Sequence, residues 1–115
     1  MGGPSLDSDI RSIAELTETI NSEPAALLYF STSTCSVCKV LKPKVKALLT
    51  DDFPEIDFRY INIEEFPEVS GQFSVFTVPT ILVYFDGDEV IRKSRNVGLS
   101  ELASDINRPY QLFFH

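Results

Sequence analysis

The chain has no tryptophan, one histidine and two cysteines among its 115 residues. Each shortage removes a class of function. A structural zinc takes about four Cys or His ligands, and Cys35, Cys38 and the terminal His115 fall short of that within one chain; a cluster bridging two chains through the cysteines is the metal arrangement left open. Two cysteines build no framework of structural bridges, so the fold must rest on apolar burial without staples, and a chain of this length can bury about two-thirds of its unfolded surface. No stretch approaches the roughly 18 apolar residues of a membrane span. Basic residues are also scarce: 10 Lys and Arg against 17 Asp and Glu give a net charge of −7. That balance argues against nucleic acid or an anionic membrane surface as a partner. Met1-Gly2-Gly3-Pro4 leads into polar residues without the apolar stretch of a secretory signal, and Leu6 stands where a myristoylation motif takes Ser or Thr. A cytoplasmic location is expected.

What the chain does have is Cys35-Ser36-Val37-Cys38, lying between the apolar run Leu27-Leu28-Tyr29-Phe30 and an amphipathic stretch from Val37 to Leu49. If a strand ends near Ser31 and a helix starts at Cys35, the first sulfur lies over unpaired backbone N–H groups at the positive end of the helix dipole, where a thiolate is stabilised. Residues three apart share a helix face, so the second sulfur can close on the first without rearranging the backbone. The pair can then cycle between dithiol and disulfide. The plainer readings are two small buried hydrophobes or an inert bridge.

No repeat or linker interrupts the chain, so residues 1–8 read as a flexible N-terminal segment and 9–115 as a single domain. Asp9 to Ile13 is expected to form a short first strand. Ser12 and Glu15 have capping-box form, with Ile13, Leu16 and Ile20 at helical spacing behind them. Ala25 to Phe30 is continuously apolar, as in a strand buried on both faces. Val37, Val40, Leu41, Val45, Leu48 and Leu49 trace a helical stripe with Pro43 inside it, which predicts a kinked helix. Ile56 to Ile63 reads as a strand and Phe66 to Phe73 as a short helix. Thr80 to Phe85, a turn at Asp86-Gly87-Asp88 and Glu89 to Asn96 make a hairpin, and Leu99 to Ile106 is a last helix expected to stop before Pro109. The order predicts an α/β sandwich whose central mixed sheet is flanked by helices on both faces. Glu64, Glu65 and Glu68 read as a solvated acidic face or as charge at a helix start.

Strand, Cys-x-x-Cys, helix with Pro43 five residues past Cys38, strand, helix, Val78-Pro79-Thr80, hairpin, Gly98 and helix: this arrangement resembles the thioredoxin family over nearly the whole chain. The resemblance implies the thioredoxin fold, a cis peptide bond before Pro79, and a substrate-docking surface at Thr77, Val78 and Pro79. It implies catalysis by Cys35 as nucleophile and Cys38 as resolving thiol, in a protein disulfide reductase or oxidoreductase serving cell redox homeostasis. No bound cofactor is implied beyond the redox-active disulfide Cys35–Cys38. The implied partners are disulfide-bearing proteins and an electron donor such as a thioredoxin reductase.

Several positions depart from the family pattern and are expected to tune the site. Thr34 replaces the usual tryptophan, and Ser36-Val37 replaces the usual Gly-Pro. Tyr29 occupies the place of the buried aspartate that assists the second cysteine, and Tyr60 that of its lysine neighbour; Lys39 is placed to act electrostatically from outside. A tyrosine of ordinary pKa is a weak base at neutral pH. Two competing readings are a glutaredoxin-like, glutathione-dependent reductase, disfavoured by the extra N-terminal elements, and a non-catalytic binding or chaperone-like module. The tail at residues 110–114 carries large apolar groups, expected to pack back on a monomeric fold or to serve as an interaction or dimer contact.

Overall fold

The computed structural model describes residues 8–114. Residues 1–7 and His115 lie outside them, and with them Leu6, the start of the chain and most of the expected flexible segment. The elements are α1 (Ile13–Ser22), β1 (Ala25–Ser31), α2 (Ser36–Asp52), β2 (Asp57–Asn62), α3 (Glu68–Phe73), β3 (Thr80–Phe85), β4 (Asp88–Ser94) and α4 (Leu99–Phe114).

β1 organises the rest. Every residue of it is buried, because the alternation of side chains across a strand sends Ala25, Leu27 and Tyr29 into one core and Ala26, Leu28 and Phe30 into another. α2 and α4 close the first core through Val45, Leu49, Leu102 and Ile106. α1 and α3 close the second through Leu16, Ile20 and Val69. A strand flanked by apolar layers must itself be apolar throughout, which is why the run 25–30 shows no polar alternation. The sheet order is β2-β1-β3-β4, with β1 parallel to β2 and antiparallel to β3, and β3 antiparallel to β4. It is the mixed sheet covered on both faces that the sequence predicts.

Two expectations need correction, and the apolar stripe of α2 divides between core and surface. Residues 9–13 do not form a strand. The segment instead lies along the free edge of β2 and satisfies it largely with side chains: the Asp9 N–H donates to the Tyr60 carbonyl at 2.7 Å, the Asp9 carboxylate accepts the Tyr60 N–H at 2.9 Å, and the Ser8 hydroxyl accepts the Asn62 N–H at 2.7 Å. Asp and Ser compete with strand pairing through such short side-chain acceptors. The last helix does not stop before Pro109 but continues to Phe114. The missing N–H is outweighed by packing, since Tyr110 is buried and stands edge-on to Phe53 at 5.0 Å. Finally, the apolar stripe of α2 does not face inward as a whole: Val37 and Val40 are each 60% exposed. It is wider than the roughly 100° arc one core contact covers, and Cys38, Val45 and Leu49 take the buried side. Pro43 lies within α2, which remains a single helix.

Candidate active site

The loop after β1 delivers Cys35 to the N-cap of α2. Its backbone is extended there (φ −81°, ψ 98°), and its Sγ accepts the Cys38 N–H at 3.2 Å. A sulfur in this position takes up one of the N–H groups that the first helical turn leaves unpaired. Cys35 and Cys38 are joined as a disulfide, their Cα atoms 5.3 Å apart. The two sulfurs differ in access: Cys35 is half-buried, whereas Cys38 is 1% exposed and belongs to the core under α2. Thr34, Ser36, Val37 and Lys39 are all exposed around them. The approach to Cys35 is pinned by a contact that the reading of Glu64 as a solvated charge misses. Its carboxylate accepts the Ser33 N–H at 3.0 Å, and the Ser33 hydrogen bonds hold the Glu64 carboxyl below its ordinary range.

Beneath Cys38 lie the phenols of β1 and β2. Tyr29 and Tyr60 are register partners, their ring centroids 6.0 Å apart. Tyr29 is fully buried, and its hydroxyl donates to the Cys38 carbonyl at 2.7 Å. The Tyr60 hydroxyl donates to Ser31 Oγ at 3.2 Å, while Lys42 Nζ lies 3.8 Å from the centre of the Tyr60 ring. Burial, then the neighbouring Tyr60, pushes the Tyr29 phenol up to about 12. At neutral pH Tyr29 is therefore a hydrogen-bond donor and not a base. A small polar cleft of about 210 Å³ opens beside it, lined by Ser31, Ser33, Cys38, Lys39, Lys42 and Tyr60.

The raised phenol has a measurable consequence. Since the folded-state value exceeds the model-peptide value of about 10, the proton held by Tyr29 supports folding fully below about pH 10, and that support is lost as pH rises through about 12. Urea unfolding at stepped alkaline pH should show Tyr29→Phe losing less stability than the parent protein over that window, by about 2 kcal/mol. Coincident profiles would show that Tyr29 does not keep its proton.

The turn before β3 joins the same core as the cysteine loop. The Val78–Pro79 peptide bond is cis. Thr77 and Val78 are half-buried and Pro79 buried, and Val78 packs against the same core cluster as Cys35. The turn is tied at both ends: the Thr80 hydroxyl donates to the Thr77 carbonyl at 2.6 Å, and the Arg95 N–H donates to the Pro79 carbonyl at 2.9 Å. Phe76, just before it, is 75% exposed.

Sequence reasoning did not single out a groove of about 730 Å³ that reaches Ser36 and Val37, the two residues between the cysteines. Its walls are the outward face of α2 (Val37, Val40 and Lys44) and the segment from Arg95 to Gly98. The signal was present in the excess width of the α2 stripe, with Val37, Val40 and Lys44 spaced at i, i+3 and i+7. Among the described residues, no group of three or more His, Cys, Asp or Glu could hold a metal, and no helix is long and apolar enough to cross a membrane.

A family model described as Thioredoxin matches residues 10–108. The thioredoxin-like protein YdfQ of Bacillus subtilis is 35% identical over 104 residues, covering 90% of this chain and 92% of that protein. Thioredoxin H2 of Arabidopsis thaliana is 29% identical over 76% of this chain and 65% of its own length. Among solved structures, thioredoxin 1 of Thermosipho africanus superimposes with a TM-score of 0.69 at 33% identity, over 76% of this chain and 96% of that one. With a Cys-x-x-Cys disulfide at the head of α2 and these relationships over most of its length, the chain belongs to the thioredoxin family of thiol-disulfide oxidoreductases.

Proposed function

We propose that the protein reduces disulfides in other proteins by a two-step exchange at Cys35 and Cys38. The observation that carries this reading is the unequal access of two bonded sulfurs at a helix start, one reachable from solvent and hydrogen-bonded to a backbone N–H, the other buried. In the reduced protein the Cys35 thiolate attacks one sulfur of a substrate disulfide. The substrate S–S bond breaks, an S–S bond to Cys35 forms, and a substrate thiolate leaves. Cys38, deprotonated, then attacks Cys35 Sγ, expelling the second substrate thiolate and leaving the Cys35–Cys38 disulfide. Two electrons pass from the dithiol to the substrate.

Thr77, Val78 and Pro79 serve as the docking surface, where the backbone of Val78 pairs with an extended substrate segment. Thr34, Ser36 and Val37 shape the rim of Cys35. Tyr29, holding its proton and bonded to the Cys38 carbonyl, positions the helix without accepting a proton. The Cys38 proton leaves through solvent in the cleft beside Lys39, Lys42 and Tyr60, and the two lysines favour the resulting thiolate. A dithiol donor of the thioredoxin reductase kind regenerates the pair, and the setting is a reducing cytoplasm, in which residues 9–115 act as one domain. The glutaredoxin alternative keeps one discriminating feature: the expected N-terminal strand is not formed, and α1 alone remains as the additional element.

The direct test is stoichiometric. Prereduced protein mixed with a disulfide-bonded protein, without added thiol, should convert one substrate disulfide for each Cys35–Cys38 disulfide formed, as counted by alkylation and mass spectrometry. Formation of glutathionylated Cys35 as the sole turnover product, with glutathione the only effective reductant, would overturn the assignment in favour of glutaredoxin chemistry.

A further inference from the structure

We infer that the groove beside Cys35 selects polypeptide disulfides whose flanking residues are acidic, despite the acidity of the protein as a whole. The inference rests on the proposed disulfide reduction and adds its substrate class. Its basis is how charge is distributed around the groove. The ion pairs of the described residues engage Arg59, Arg92 and Lys93. Lys44 and Arg95, which line the groove, take part in none of them. The one acidic residue on the wall, Glu101, is held by Lys93 at 2.9 Å, and the same ammonium holds Asp105 at 2.6 Å. The groove therefore presents two cations outside any ion pair over an apolar floor of Val37, Val40 and Leu41, and because Lys93 is shared by both carboxylates the local balance is one net positive charge. The chain carries a net charge of −7, so a cationic wall beside the nucleophile is a local arrangement opposed to the global field.

The positions of the two cations set the spacing of the ligand. Arg95 is anchored through its N–H to the Pro79 carbonyl at 2.9 Å, and it lines both this groove and the smaller one at Phe76 and Thr77. It occupies the left-handed backbone region at φ +67°, which non-glycine residues seldom adopt. A carboxylate next to the substrate cysteine would meet it. Lys44 stands nine residues beyond Cys35, about 13 Å along the helix at 1.5 Å per residue. An extended substrate rises about 3.3 Å per residue, so its second acidic side chain falls about four positions from the reacting cysteine. Val37 and Val40, each 60% exposed, receive the apolar side chains between.

The experiment uses three synthetic peptides that share one disulfide and differ only in having Glu, Gln or Lys at the neighbouring and fourth positions. Prereduced full-length protein is mixed with each at subsaturating concentration. At an ionic strength of about 0.01 M, where screening is weak, the Glu peptide should be reduced about fivefold or more faster than the Lys peptide, with Gln between. The difference should collapse at about 0.5 M salt. In Lys44→Glu/Arg95→Glu the order should reverse. The net charge alone predicts faster reaction of the Lys peptide, so the two sources of field give opposite orders. Equal rates for the three peptides, a faster Lys peptide, or an unchanged Glu preference in the double variant would overturn the inference and leave disulfide reduction standing. Failure to reduce any of the three would overturn both.

Discussion

Cys35→Ser is expected to abolish disulfide reduction, lowering the rate by at least about a thousandfold, because a neutral hydroxyl replaces the only accessible sulfur nucleophile. Cys38 cannot substitute for it, being 1% exposed under α2. Cys38→Ser should behave differently: the first exchange proceeds at Cys35, the resolving thiol is gone, and the mixed disulfide accumulates. The pair of variants therefore separates the two steps. Mass spectrometry of Cys38→Ser recovered from cells should find partner peptides bonded to Cys35, and those peptides name the substrates. The order of attack is wrong if partners are instead trapped on Cys38 in Cys35→Ser. Absence of any mixed disulfide in Cys38→Ser would sink the oxidoreductase role itself.

Removing the chain after Arg108 is expected to destabilise the fold by about 3–5 kcal/mol, the range for losing a large buried aromatic group. The melting temperature should fall by about 15 °C or more. The reason is that the tail is part of the first core. Tyr110 is buried against Phe53, its hydroxyl accepts the Glu55 N–H at 3.3 Å, and Phe114 lies 4.9 Å from its ring. Phe85 at the end of β3 contacts both Phe113 and Phe114, at 5.7 and 6.2 Å. Without these groups Phe85 and Phe53 would face water. Tyr110→Ala should reproduce most of the loss, whereas Leu112→Ala, at a residue 73% exposed, should change stability little. If the truncated protein melted like the intact one, the tail would be an external contact surface and not part of the core.

The site depends on both faces of the sheet in unequal ways. Cys35, Cys38, Tyr29 and Val78 all belong to or pack against the core closed by α2 and α4, so damage to the tail reaches the chemistry through shared packing. The second core, under α1 and α3, supports the same strands from behind. Tyr29 links the two problems. It fills the space under α2 and ties the Cys38 carbonyl, but its raised phenol withdraws it from proton transfer at neutral pH. On the proposed mechanism the resolving step is served by solvent in the polar cleft, and substitutions that block that cleft are expected to slow the second exchange and spare the first.

Sequence alone determined the features that depend on short-range pattern. The apolar run 25–30 and the turn at Gly87 are local signals that each identify an element, whereas the i, i+3 cysteines and the Val-Pro before β3 acquire their meaning from occurring together in one chain-long pattern. The partnership of Tyr29 with Tyr60 was implied only by the family resemblance, and the parallel register of β1 and β2 is what brings the two together. Only the tertiary structure decided the rest. Asp9 lends its carboxylate to the edge of β2 in place of a strand. α4 runs through Pro109 because Phe53 and Phe85, far away in sequence, offer its aromatic residues a buried surface. Val37 and Val40 turn outward because Cys38, Val45 and Leu49 already occupy the buried arc of α2, and Lys44 and Arg95 meet across a groove from elements about fifty residues apart. Local periodicity reports which residues share a face, but which face finds a partner, and which is left open to bind one, is settled by packing between segments that sequence order does not join.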